Sequence, residues 1–122
     1  MASDSTALDG LRYLDADHVK HPSGTFANLM LCSRDRETLG AISGVLVEPS
    51  TRRVRYYVVE RRSMLMPRRY LLAADTPAVI DSDGGKVYVL ATAEDLEHFD
   101  VREVERFSDE DAITAMFARP AA

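Results

Sequence analysis

The residues that could do chemistry are few and scattered. His18 and His21 stand three apart beside Asp15 and Asp17, a donor set that a divalent metal could use. Their segment, Asp15-Ala-Asp-His-Val-Lys-His-Pro-Ser-Gly24, reads as a loop. Its spacing fits no strong metal motif, so a solvated polar loop is the adopted reading. Cys32, the only cysteine, adjoins an apolar run and reads as a buried, inert thiol rather than a nucleophile. His98 follows Glu97 in an acidic stretch and reads as a surface residue. No serine sits in a Gly-x-Ser-x-Gly setting. Gly84-Gly85 lacks the Lys-Ser/Thr of a phosphate loop and opens a strand, not a helix. Met64 and Met66 read as core filling beside a strand. The paired carboxylates fall where they would cap helices. No catalytic residue, metal or cofactor is therefore expected, and the chain reads as non-enzymatic.

Arginine is the one chemically distinctive residue type. Thirteen of the fifteen basic residues are arginine, although the net charge is –5. Residues 52–69 hold seven arginines (Arg52, Arg53, Arg55, Arg61, Arg62, Arg68, Arg69) against Glu60 alone, a local +6. Residues 94–111 hold nine acids against Arg102 and Arg106, a local –7. Arginine's planar fork suits carboxylate and phosphate. Three readings compete: the acidic block packs on the arginines in the same chain or a symmetry mate, the charges form a solvated face of small energetic weight, or the arginines bind RNA. The first is preferred, because opposite blocks of near-equal size otherwise have no reason to coexist; RNA is disfavoured because the protein is acidic overall and the arginine strand lacks interleaved exposed aromatics. The candidate partner-binding residues are Arg53, Arg55, Arg61, Arg62, Arg68 and Arg69.

These arginines must be carried by β-structure. Leu39 to Glu60 is two Val-, Ile- and Tyr-rich runs around Pro49-Ser50-Thr51, a strand–turn–strand pattern. Alternation puts Val54, Tyr56 and Val58 on the core face, and Arg53, Arg55, Tyr57 and Val59 on a half-wet face. Ile42 is out of phase with Val45 and Val47, so a bulge is expected at Gly44. Further strands are expected from Phe26 to Leu31 (apolar positions Phe26, Leu29, Leu31), Arg68 to Ala73, Ala78 to Asp81 and Lys86 to Leu90. The last two are joined by the Asp81-Ser-Asp-Gly-Gly85 turn, with Val87 and Val89 inward. Leu8, Leu11 and Leu14 recur at helical spacing and suggest a short helix or turn, weakened by Gly10. Thr92 can cap a short helix anchored by Leu96 and Phe99. Ser108-Asp-Glu-Asp111 can open a C-terminal amphipathic helix with Ile113, Met116 and Phe117 on one face.

Leu39-Gly40-x-Ile42, then Val45-Leu46-Val47-Glu48-Pro49, then Arg53-Val54-Arg55-Tyr56-x-Val58-Val59 resembles the PRC-barrel family. Arg69-Tyr70-Leu71-Leu72 fits its Arg-x-x-Leu strand. Lys86-Val87-Tyr88-Val89-Leu90 with Thr92-x-Glu94-x-Leu96 fits its last strand and short helix. The likeness covers roughly residues 25 to 105. Arg52 stands where the family usually has a turn glycine, and Ala73-Ala74 where a proline usually follows. Such domains occur in the H subunit of photosynthetic reaction centres and at the C-terminus of RimM-type ribosome maturation factors.

The resemblance implies a mainly β fold: a small PRC-type barrel at 25–105, after an extension at 1–24 and before a helix at 106–122. It also implies an adaptor-like module binding protein partners. RNA or ribosome association, and a reaction-centre-like role, are the alternatives. A homodimer is expected from edge strands that need cover, with Arg68 to Ala73 and Ile113, Met116 and Phe117 as its candidates. No apolar run approaches the roughly 20 residues of a membrane span. The N-terminal residues are polar without a signal-like apolar core. A single cysteine suits the cytoplasm.

Overall fold

The computed structural model describes residues 10–21, 24–25, 29–62, 66–81, 85–100, 102 and 104–106. The expected C-terminal helix with Ile113, Met116 and Phe117 lies outside them, as do Leu8, Phe26 and Met64. The fold is mainly β. Its strands are β1 (Arg12–Asp15), β2 (Lys20–His21), β3 (Gly24–Thr25), β4 (Met30–Cys32), β5 (Thr38–Glu48), β6 (Arg53–Arg62), β7 (Pro67–Ala73), β8 (Ala78–Asp81), β9 (Lys86–Val89), β10 (Glu97–Phe99) and β11 (Glu105–Arg106). Ala16–His18 and Ala93–Asp95 are single 3-10 turns.

One mixed sheet runs β10-β7-β6-β5-β4-β9-β8. Its two ends do not pair among the described residues, so it is not closed into a barrel. The long β5–β6 hairpin is its spine. One edge of β5 is shared: β4 pairs with its first part and β1 with its second. β1 also takes β11 in parallel. β7 lies between β6 and β10, so it is not the edge strand expected from the sequence. The edge at the other end is β8, whose one partner among the described residues is β9.

Both faces of the hairpin are buried. Tyr57 and Val59 belong to the larger core, with Leu31, Leu39, Ile42, Val45, Val47, Leu72, Val87 and Val89. Val58 belongs to a smaller one, with Leu11, Tyr13, Leu46, Leu71 and Phe99. This corrects the reading of Tyr57 and Val59 as half-wet: Val58 and Val59 are both 0% exposed. Strands buried on both faces lose the alternation that marks an inner side. Leu72 of β7 and Ala78 and Val89 of β8 and β9 share the larger core. The sheet therefore curls around that core without its ends joining.

Two register shifts govern which side chains go where. Ile42 pairs with Val59 but Gly44 pairs with Val58, leaving Ser43 as an extra residue. The bulge expected near Gly44 is thus present one residue earlier. It lets Ile42, Val45 and Val47 share the larger core. On β6, Leu46 pairs with Tyr56 and Val47 with Val54, so Arg55 is extra. Val54 then packs toward the larger core while Tyr56 packs toward the smaller one. The expected common face of Val54, Tyr56 and Val58 is broken at Arg55.

Leu11 and Leu14 flank or lie in strand β1, not in a helix, and go to opposite cores. Pairing with β5 overrides their i, i+3 spacing. Thr92 does start a turn: its N–H donates to Asp95 Oδ2 at 2.8 Å. The helix stops after one turn, and Phe99 is carried by β10 instead. Val87 and Val89 point inward as expected.

Candidate functional site

Most of the candidate chemistry disperses. Asp15 lies at the end of β1, and Asp17 and His18 are exposed on the 3-10 turn. His21 lies in β2. Among the described residues, no three His, Cys, Asp or Glu side chains gather as a metal site. Cys32 is buried and free. His98 is exposed and meets the ring of Tyr70 edge-on at 5.9 Å, its cross-strand neighbour.

The arginines do not form one face. Arg53 and Arg55 sit at the turn end of β6, and Arg61 and Arg62 at its far end. Six to nine residues of strand separate them, roughly 20 to 30 Å at about 3.3 Å per residue. At the turn end, Glu48 Oε1 accepts from Thr51 Oγ1 at 2.9 Å and lies 3.9 Å from the Arg55 guanidinium. At the far end, the β6–β7 register pairs Glu60 with Arg69, Arg61 with Arg68 and Arg62 with Pro67. Alternation then sends Glu60 and Arg69 to one face and Arg61 and Arg68 to the other. Glu60 and Arg69 form an ion pair at 3.6 Å. Among the described residues, Arg61 and Arg68 join no ion pair.

The acidic block does not neutralise these arginines where it is described. Glu105 lies 3.6 Å from Arg12, and Arg102 closes back on Asp100 at 2.8 Å. That contact holds the Asp100 carboxyl down at about 2. β10, which carries Glu97, nonetheless lies beside β7, and Glu103 and Asp109 to Asp111 of the acidic block fall outside the described residues.

The most connected polar cluster surrounds Tyr13, which sequence reasoning passed over. Its hydroxyl donates to the Ser43 carbonyl at 3.2 Å, the backbone acceptor that the bulge removes from regular pairing. Ser43 Oγ in turn donates to the Val58 carbonyl at 3.4 Å. Arg106 binds Asp15 at 3.0 Å and lies over the Tyr13 ring, 5.4 Å from its centre. Burial first, and the neighbouring Asp15 carboxylate second, push the Tyr13 phenol up to about 12. Burial alone would raise Asp15, but the Arg106 hydrogen bond, helped by the nearby Tyr13 hydroxyl, outweighs it and holds its carboxyl below the usual range. The cluster clasps β11 to β1. The sequence signal was the odd Tyr in an acidic N-terminal segment, which no spacing rule connects to Ser43 or Arg106.

A half-open groove of about 440 Å3 lies beside the far-end arginines, lined by Met30, Leu39, Gly40, Ala41, Glu60 and Arg61 among others. Gly40 has φ +147°, and a Cβ there would stand 2.6 Å from the Glu60 carbonyl and 3.0 Å from Arg61 Cγ. The missing side chain lets the Arg61 stem lie across β5.

These features define a mainly β chain built on one curled, open sheet with two cores. No protein-family model matches it, and no curated protein matches it. Among the described residues, no helix is long and apolar enough to cross a membrane.

Proposed function

We propose that this chain is a non-enzymatic interaction module of the PRC-barrel type, which pairs with a second copy and holds a protein partner. The order of elements supports the family reading. The long hairpin turns at Pro49, Arg69-Tyr70-Leu71-Leu72 lies in β7, and Lys86–Val89 forms β9 ahead of the Thr92 turn. An open sheet fits a module that completes itself on a partner.

The observation that carries the reading is the end strand β8. It has one neighbour among the described residues, and it carries Val79, 54% exposed; Leu90, 51% exposed, follows β9 and donates its N–H to the Pro77 carbonyl just before β8. An apolar strand edge is a template for another strand. Antiparallel pairing of two β8 strands would satisfy a two-fold dimer. RNA binding is the weaker alternative, because the arginines that would carry it are divided between faces and strand ends.

Sedimentation velocity tests this. The wild-type chain is expected to be a dimer at micromolar concentration, and Val79→Lys a folded monomer. A wild-type monomer throughout that range overturns the dimer. A nuclease-treated affinity capture that loses every bound protein overturns the protein-partner reading in favour of RNA.

A further inference from the structure

We propose that Arg61 and Arg68 form a two-pronged clamp for a carboxylate of an acidic peptide segment, whose neighbouring apolar side chain enters the groove over β5. The proposal rests on the interaction-module reading and names the chemistry of the partner.

The register places the two arginines directly opposite each other on adjacent antiparallel strands. Directly opposed side chains start about 5 Å apart, and like charges so placed work against the sheet. Elsewhere this hairpin avoids that cost. Glu60 faces Arg69 one position away and pairs with it at 3.6 Å. Arg55 lies 3.9 Å from Glu48. Arg61 and Arg68 have no acidic partner among the described residues. An anion held between them changes repulsion into two charge-assisted, fork-like contacts.

The surroundings select the kind of anion. Arg61 also lines the groove, whose half-buried apolar walls are Met30 and Ala41. Gly40 leaves room for the Arg61 stem against β5. An apolar side chain next to an acid can therefore use both features at once. A nucleic acid fits less well. The groove lining contains no aromatic ring on which a base could stack.

The chain itself contains a segment of the required composition: Asp109-Glu110-Asp111 followed by Ile113, Met116 and Phe117. A synthetic, fluorescein-labelled peptide of residues 108–117 is therefore the probe, read by anisotropy against the full chain. Saturable binding is expected. It should weaken by about tenfold or more in an Arg61→Ser, Arg68→Ser double variant, and likewise when the three acids of the peptide become amides. An Arg61→Lys, Arg68→Lys variant, which keeps charge but loses the fork, should fall between. Circular dichroism and sedimentation of the serine variant check that it is folded and unchanged in assembly. Dimerisation kept with peptide binding lost supports the clamp. Failure of the wild-type chain to bind, equal binding by the folded serine variant, or tighter binding of labelled oligouridylate overturns the clamp and leaves the assembly result standing.

Discussion

Gly44 lies against the ring of Tyr13. A Cβ at position 44 would stand 2.6 Å from Tyr13 Cε1, 2.6 Å from its hydroxyl oxygen and 2.7 Å from the Leu14 carbonyl. Real Cβ atoms do not approach so closely, so the ring and the glycine must be placed together. Tyr13 can reach the Ser43 carbonyl because position 44 has no side chain.

Gly44→Ala is therefore expected to destabilise the fold by roughly 2–3 kcal/mol, as overpacking of a filled site does. Urea unfolding followed by circular dichroism measures it. Since one of the three close contacts is to backbone, trimming Tyr13 to leucine should recover only part of the loss. A Gly44→Ala chain as stable as wild type would show that β1 can shift away freely.

Val58→Asp and Val59→Asp should both prevent folding, although they lie on opposite faces. Each places an unpaired carboxylate where exposure is 0%, at a cost of several kcal/mol. Soluble expression and a cooperative thermal transition provide the readout. If one of the pair folds normally, that face is open to solvent.

Alkaline pH should reveal Tyr13. Its phenol is raised from 10.0 to about 12 in the folded chain, so the folded state holds the proton more tightly than the unfolded one. The stability this represents is complete below pH 10 and is lost as pH climbs through the interval up to about 12. Burial also raises Tyr57, so two of the five tyrosines should ionise late in an ultraviolet titration. Tyr13→Phe should leave one late group and flatten the alkaline decline. Asp15 acts in the opposite direction. Its lowered carboxyl gives stability that is present near neutrality and fades as pH falls below the ordinary carboxylate range.

Arg52 has φ +58°, a left-handed conformation that costs a side chain about 1 kcal/mol and glycine little. Arg52→Gly should therefore raise stability by roughly 0.5–1 kcal/mol. A rise in the denaturation midpoint with unchanged slope would support this. A fall would mean that the contacts of the arginine outweigh the strain. The same position is where the PRC-barrel pattern usually has a turn glycine, so the substitution also probes that likeness.

Much of the β framework was legible in the sequence. The Pro49 turn, the antiparallel pairing of β8 with β9 and the inward Val87 and Val89 follow from local chemistry that tertiary contacts do not override. The need for a bulge could be read from the phase of Ile42 against Val45, because burial constrains phase. The inner face of β6 could not. With Tyr57, Val58 and Val59 all buried, apolar residues run without alternation, and the arginines at 53 and 55 suggested a wet side that ends at the bulge. β1 was misread because leucines three apart suit a helix turn as well as a strand that feeds two cores. The Tyr13 cluster joins residues 13, 43 and 106, which only the sheet brings together. The division of the arginines followed from strand register, which composition does not encode.

The extra residue at Ser43 acts like a shifted reading frame written in backbone. Upstream of it, Ile42 faces the larger core; remove the one residue and Ile42 trades places with Ala41. A single-residue deletion inside this strand would thus be as damaging as several substitutions, whereas one in the 49–52 turn would leave both frames intact. Relatives of this chain should differ in length at the hairpin tip and keep its two strands in step.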